Sequence, residues 1–127
     1  MPHTPTHMRN EILEIPAAAA RLIEASDGAL AVAGRQLREL SPKLIATVAR
    51  GSSDHAASFL KYVTELTTGV PVASLGPSIA SIYGAKLKLD GAACLTISQS
   101  GKSPDIVAMA EAAKSGGALT IALTNTM

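Results

Sequence analysis

A chain of 127 residues is the length of one modest domain, and with 47% hydrophobic and 17% charged residues it can bury a core, which excludes a disordered or fibrous chain. Eleven Lys and Arg against ten Asp and Glu leave a net charge of +1, too little to mark a nucleic-acid or membrane-surface binder. Aromatic residues make up only 2%, which also argues against a base-stacking platform.

The single cysteine, Cys94, allows no internal disulfide and suits a reducing cytoplasm. No apolar run reaches the roughly 18 residues that span a bilayer. Glu11 and Glu14 stand where a secretory signal needs positive charge, and Arg21 and Glu24 interrupt the Ala-rich stretch that follows. The chain is expected to be soluble and cytoplasmic.

In chain order, Met1–His7 reads as a loose tail and residues 1–43 as a helical segment. Met8, Ile12, Ile15, Ala19, Leu22 and Ile23 recur at helical steps, and Pro16 predicts a helix start or a kink. A second helix is expected from Gly28 to Leu40, with Leu30, Ala33, Leu37 and Leu40 on one face and Ser41-Pro42 as its stop. Leu44–Ala49 is a short apolar run without alternation, the pattern of a strand buried on both faces. A helix follows to about Thr68 with Gly69 as its C-terminal cap. Val70–Ala73 reads as a strand whose Pro71 favours an edge. Pro77–Tyr83 is a candidate short helix ended by Gly84. Ala92–Ile97, Ser103–Ser115 and Ala118–Leu123 then read as strand, helix and strand.

Alternating strands and helices of this kind make an α/β fold, a three-layer doubly wound parallel sheet preceded by N-terminal helices. Two units are expected, residues 1–43 and an α/β domain over 44–127. The sequence stops directly after a core strand, so the domain is expected to be truncated after strand four.

Two strand-to-helix turns carry the polar chemistry. Arg50-Gly51-Ser52-Ser53 follows strand one, and Ser98-Gln99-Ser100-Gly101-Lys102-Ser103 follows strand three. Doubly wound sheets bind ligands at the carboxyl ends of strands, where neighbouring connections diverge. A strand order of 2-1-3-4 would make these turns neighbours. Their hydroxyls, free backbone N–H groups and two positive helix ends would then converge on an anion such as phosphate. Capping is the competing explanation: Ser53 and Ser103 are well placed as N-caps, the latter followed by Pro104. It leaves Ser52, Ser98, Gln99 and Ser100 without a role.

Other motifs fail on inspection. Gly101-Lys102-Ser103 resembles the end of a P-loop, but Thr96 stands where that loop needs Gly. Ser100 lacks the upstream Gly of a nucleophile elbow, that position being Ser98. Ser53, Asp54 and His55 are consecutive helical residues and point apart, so they cannot relay a proton. No His or Cys pair has metal spacing; no metal or other cofactor is expected. His55 reads as a helix-surface residue and Cys94 as a buried strand residue.

Three segments carry a family resemblance: Met8–Pro16, Ala49-Arg50-Gly51-Ser52-Ser53-Asp54-His55-Ala56, and Ile97-Ser98-Gln99-Ser100-Gly101-Lys102-Ser103-Pro104-Asp105. In order and spacing they resemble the SIS (sugar isomerase) family, most nearly the isomerase part of glutamine–fructose-6-phosphate aminotransferase and stand-alone aminosugar-phosphate deaminase/isomerases. The resemblance implies a sugar-phosphate ligand of the fructose 6-phosphate or glucosamine 6-phosphate type. Phosphate-binding hydroxyls fall on Ser98, Ser100 and Ser103 with Gln99 beside them, and sugar and loop contacts on Ser52 and Ser53. Gly51 and Gly101 belong to the same phosphate- and sugar-binding set. It also implies a homodimer and a first domain of two, with the acid/base Glu, His and Lys of the family beyond Met127. Arg50 replaces a family Cys and Lys102 a family acidic residue, and both are expected to add positive charge near the phosphate. Met1-Pro2 and a short tail stand where the aminotransferase has its Cys nucleophile and glutaminase domain, and the expectation is free-ammonia chemistry, deamination or plain isomerisation in place of glutamine-driven transfer. A non-catalytic sugar-phosphate sensor and a P-loop-like nucleotide binder are the rival readings.

Overall fold

The computed structural model describes residues 6–126. Two compact units make up the chain, one ending at Gln36 and the other beginning at Leu37.

The first unit is helical. Helix α1 runs unbroken from His7 to Leu40, with Pro16 inside it, where two helices were expected. Pro16 removes one N–H and frees the carbonyl of Ile12, but Ala17–Ala20 and Ala29–Ala33 are strong helix formers on either side of the Ser26-Asp27-Gly28 break signal. Gly28 keeps a negative φ and the helix passes through it. Residues 1–5 of the expected tail lie outside the described residues, and His7 already belongs to the helix.

The second unit is the predicted α/β sheet. Strands β1 (Ile45–Ala49), β2 (Val72–Ser74), β3 (Ala93–Ser98) and β4 (Leu119–Thr124) form one sheet in the order β2-β1-β3-β4. Every pairing is parallel. Helices α2 (Ser52–Thr68), α3 (Ser78–Ser81) and α4 (Pro104–Ser115) connect them. The edge position expected for the second strand is where β2 lies, though it begins after Pro71. The short third helix is only four residues long.

Because successive strand residues face opposite ways, the apolar runs feed two cores. Ala46, Val48 and Cys94 pack with Ile106, Met109 and Ala113 of α4 on one face. Ile45, Val72 and Ala93 pack on the other with Leu37 and Leu40 from the last turn of α1. Met109 and Val48 are fully buried, each burial contributing about 1.5–3 kcal/mol. Gly69 closes α2 as predicted: it takes a left-handed conformation, φ 72°, and its N–H donates to the Glu65 carbonyl at 3.1 Å. The Glu65 carboxylate accepts the Val72 N–H at 2.9 Å, tying helix end to strand start. Among the described residues no helix is long and apolar enough to cross a membrane.

Candidate functional site

Strands β1 and β3 are hydrogen-bonded neighbours, with Ala49 opposite Ile97 at their carboxyl ends. The two hydroxyl-rich turns therefore leave the sheet side by side. They enclose a cleft of about 250 Å³ lined by Gly51, Ser52 and Ser53 from the first turn and by Ser98, Gln99, Ser100 and Ser103 from the second. Gly101 is the one expected site residue outside that lining. Its part is to turn the chain, with φ 62°. A side chain there would meet Thr124 Oγ1 at 2.6 Å, so this position requires glycine on both counts.

The hydroxyls of the second turn are organised by the backbone. Ser98 Oγ accepts the Gly101 N–H at 3.1 Å, and Ser100 Oγ accepts the Lys102 N–H at 3.3 Å. Each oxygen is thereby fixed as an acceptor, which leaves its O–H to donate to an anion. This corrects one expectation: these two amides are already engaged and are not free to meet a ligand. The turn is further anchored to the end of β4. Asn125 N–H donates to the Gln99 carbonyl at 3.3 Å, and Thr126 Oγ1 donates to the Ser100 carbonyl at 2.7 Å.

Neither helix is capped by a serine side chain. The N-cap of α2 is Gly51, so Ser52 and Ser53 are its first two residues and Ser53 is not a cap. Ser103 does occupy the N-cap of α4, with Pro104 next, yet its hydroxyl makes no capping hydrogen bond. The capping explanation thus accounts for neither hydroxyl. Both helix N-termini lie at the same end of the sheet, but their amides are not equally open. Pro104 has no N–H, the Asp105 carboxylate accepts the Ile106 N–H at 2.9 Å, and the Gly51 carbonyl accepts the Asp54 N–H at 3.1 Å. Among the described residues, the Ser52 and Ser53 N–H groups have no backbone acceptor outside the helix.

Charge at the site differs from expectation. Arg50 lines the cleft, but its guanidinium forms an ion pair with Asp105 of α4, so its charge is already matched. Burial pushes the Asp105 carboxyl up. The hydrogen bond and charge of Arg50, together with the Ile106 N–H at 2.9 Å, outweigh that and hold it below its usual range. Lys102 is exposed and does not line the cleft. Sequence reasoning also missed the apolar floor, Ile97 and Ile106. Their signal was available, since Ile97 is the last residue of β3 before Ser98. His55 is exposed on α2 and Cys94 is fully buried in β3, both as expected.

A family model described as the SIS domain matches residues 40–127. The chain belongs to the SIS domain family. Among solved structures, this SIS domain superposes with a TM-score of 0.92 and 56% identity on a candidate phosphosugar isomerase from Silicibacter pomeroyi, over 96% of this chain and 37% of that one. The C-terminal domain of glucosamine-fructose-6-phosphate aminotransferase from Francisella tularensis is 27% identical, with a TM-score of 0.80 over 97% of this chain and 35% of that one. A candidate sugar-phosphate isomerase from Listeria monocytogenes shares the fold at 24% identity and a TM-score of 0.73, over 94% of this chain and 62% of that one. The chain thus spans about a third of the length of the first two structures. No curated protein matches it in sequence.

Proposed function

We propose that this SIS domain is the sugar-phosphate-holding part of a phosphosugar isomerase. The observation that carries the reading is the convergence of both serine turns on one small cleft. Ser98, Ser100 and Ser103 would donate to the phosphoryl oxygens. Gln99, Ser52 and Ser53 would meet the remaining oxygens and the sugar, with Gly51 and Gly101 letting the backbone approach. The two helix N-termini add a positive potential suited to a dianion.

The reaction is aldose–ketose interconversion: the open-chain sugar loses the proton beside its carbonyl to a base, and the enediol or enolamine is reprotonated on the adjacent carbon. The cleft is lined by hydroxyls, an amide, apolar side chains and the paired Arg50, none of them a ready proton acceptor at neutral pH. The chain's own contribution is therefore to hold and orient the substrate, which can supply several kcal/mol of barrier lowering. The likeness to the aminotransferase domain supports a ligand of the fructose 6-phosphate or glucosamine 6-phosphate type, and with it an aminosugar isomerase or deaminase. The division into an N-terminal helical segment and a first of two SIS domains, a homodimer and a cytoplasmic setting belong to the same proposal.

The double substitution Ser98→Ala with Ser100→Ala tests it. Titration calorimetry on the intact protein should show fructose 6-phosphate affinity lower by at least about ten-fold, the loss of two hydrogen bonds to a charged group. The unfolding midpoint should fall only modestly: both side chains line the cleft and not the core, and the two exposed turn hydrogen bonds they accept are each worth about 0.5–1.5 kcal/mol. Unchanged affinity would remove these serines from the site. Tight binding without turnover by the intact wild-type protein would point to the sensor instead.

A further inference from the structure

We infer that Arg50 and Asp105 form a positioning tie that holds the two hydroxyl turns at the spacing one phosphoryl group requires. The inference rests on the phosphate reading above. Beyond the Ala49–Ile97 pair, β1 and β3 diverge into their turns. The second turn is secured on its far side, where pairing with β4 continues to Ser98 and Thr124 and where Asn125 and Thr126 grip its carbonyls. The one backbone–backbone hydrogen bond that closes the first turn, among the described residues, is internal to it, Asp54 N–H to the Gly51 carbonyl at 3.1 Å. Among the described residues, no backbone hydrogen bond crosses from residues 50–54 to residues 98–104. The Arg50–Asp105 ion pair does cross, joining residues 55 apart in sequence.

The two partners are not equivalent. Asp105 sits in the first turn of α4, where the helix dipole favours a carboxylate, and its Oδ1 accepts the Ile106 N–H at 2.9 Å. Its side chain is 21% exposed against 64% for Arg50. Asp105 is the fixed post and Arg50 the arm that reaches it. Arg50 also borders a second cavity of about 700 Å³ beside the cleft, lined by Asp105, Pro104, Ser78 and Ser81 among others. The ion pair stands where the two cavities meet. An arginine placed to bind phosphate directly would leave its guanidinium toward the hydroxyls; here it is turned to the neighbouring carboxylate.

Asp105→Asn separates the two roles by the sign of its effect. The substitution removes a negative charge near the cleft, and its side-chain oxygen can still accept the Ile106 N–H. If Arg50 served the ligand as a free cation, losing its carboxylate would tighten anion binding. If it serves as a tie, binding weakens. We expect fructose 6-phosphate affinity about two- to five-fold lower in Asp105→Asn and in Arg50→Gln, the range of an exposed ion pair, with Arg50→Lys restoring most of it. Calorimetry on the intact protein, with Ser98→Ala/Ser100→Ala alongside and unfolding midpoints measured in parallel, reads all of these. Tighter or unchanged binding in Asp105→Asn overturns the tie while leaving the serine site standing. Failure of the wild-type protein to bind either fructose 6-phosphate or glucosamine 6-phosphate overturns the phosphate reading and the tie with it.

Discussion

Gly101→Ala probes how tightly the second turn is built. The residue has φ 62°, a conformation that costs an L side chain about 1–2 kcal/mol, of which the stiffer unfolded chain returns about 0.4–1 kcal/mol. The new Cβ would also lie 2.6 Å from Thr124 Oγ1 and 3.5 Å from Thr124 Cβ. The hydroxyl must swing away, at about 0.5–1.5 kcal/mol for an off-rotamer χ1. It also gives up the Thr126 N–H that it accepts at 3.2 Å. The expected destabilisation is therefore about 1.5–3 kcal/mol, read as a lower midpoint in urea unfolding. Thr124→Ala removes the obstructing oxygen and leaves an ordinary carbon–carbon contact, so in that background Gly101→Ala should cost only the conformational part, about 1 kcal/mol. A coupling near 1 kcal/mol in this double-mutant cycle is the quantity to measure. Strict additivity, or a Gly101→Ala protein as stable as wild type, would refute the packing argument for this turn.

The Cys94 thiol, pushed up by burial and only partly offset by Thr96, should ignore a thiol reagent in the native protein and react on unfolding. Because its folded value lies above the ordinary 9.0, the stability it favours is complete below pH 9 and falls as pH rises beyond; a Cys94→Ala protein should lose this alkaline slope. Asp105 has the opposite sign: its value lies below the ordinary 3.8, so its contribution is present at neutral pH and disappears on acidification below that value. The stability difference between wild type and Asp105→Asn should close over the same acid range in urea titrations. Pro16→Ala restores one hydrogen bond in the N-terminal third of α1, favours the helix locally by up to about 3 kcal/mol, and should raise the helical circular dichroism signal; an unchanged signal would refute this.

The sheet was legible in the sequence because its strands are unbroken apolar runs bounded by Gly, Ser and Pro. Each of the four falls within two residues of its expected start. The doubly wound order 2-1-3-4, a condition of the sequence argument and not a product of local pattern, is the order the sheet has, and it brings Ser52 and Ser98 to one place. The N-terminal helix was misread for a local reason: Ser26-Asp27-Gly28 carries break residues, but alanines on both sides outweigh them. The competing capping reading of Ser53 rests on a hydroxyl at a suitable offset; the N-cap is instead Gly51, two residues earlier, and the helix begins at Ser52. The pairing of Arg50 with Asp105 needed tertiary information. Local pattern shows a basic residue after one strand and an acidic residue after another. Only the parallel register Ala49–Ile97 places them at the same end of the same pair of strands.

That register also explains why neutral hydroxyls suffice in the proposed site. A sheet of order β2-β1-β3-β4 sends the chain outward in opposite directions after β1 and after β3, which opens one crevice and points two helix N-termini across it. The backbone therefore supplies the positive potential. Side chains need only donate directed hydrogen bonds, and serines do so without the flexibility of lysine or the bulk of arginine. With the helix ends supplying charge, the nearby arginine is available for mechanical work, cross-linking turns that the sheet no longer joins. On the phosphate reading proposed above, aligned hydroxyls and helix ends would recognise the geometry of a phosphoryl group without a cationic cluster in the crevice.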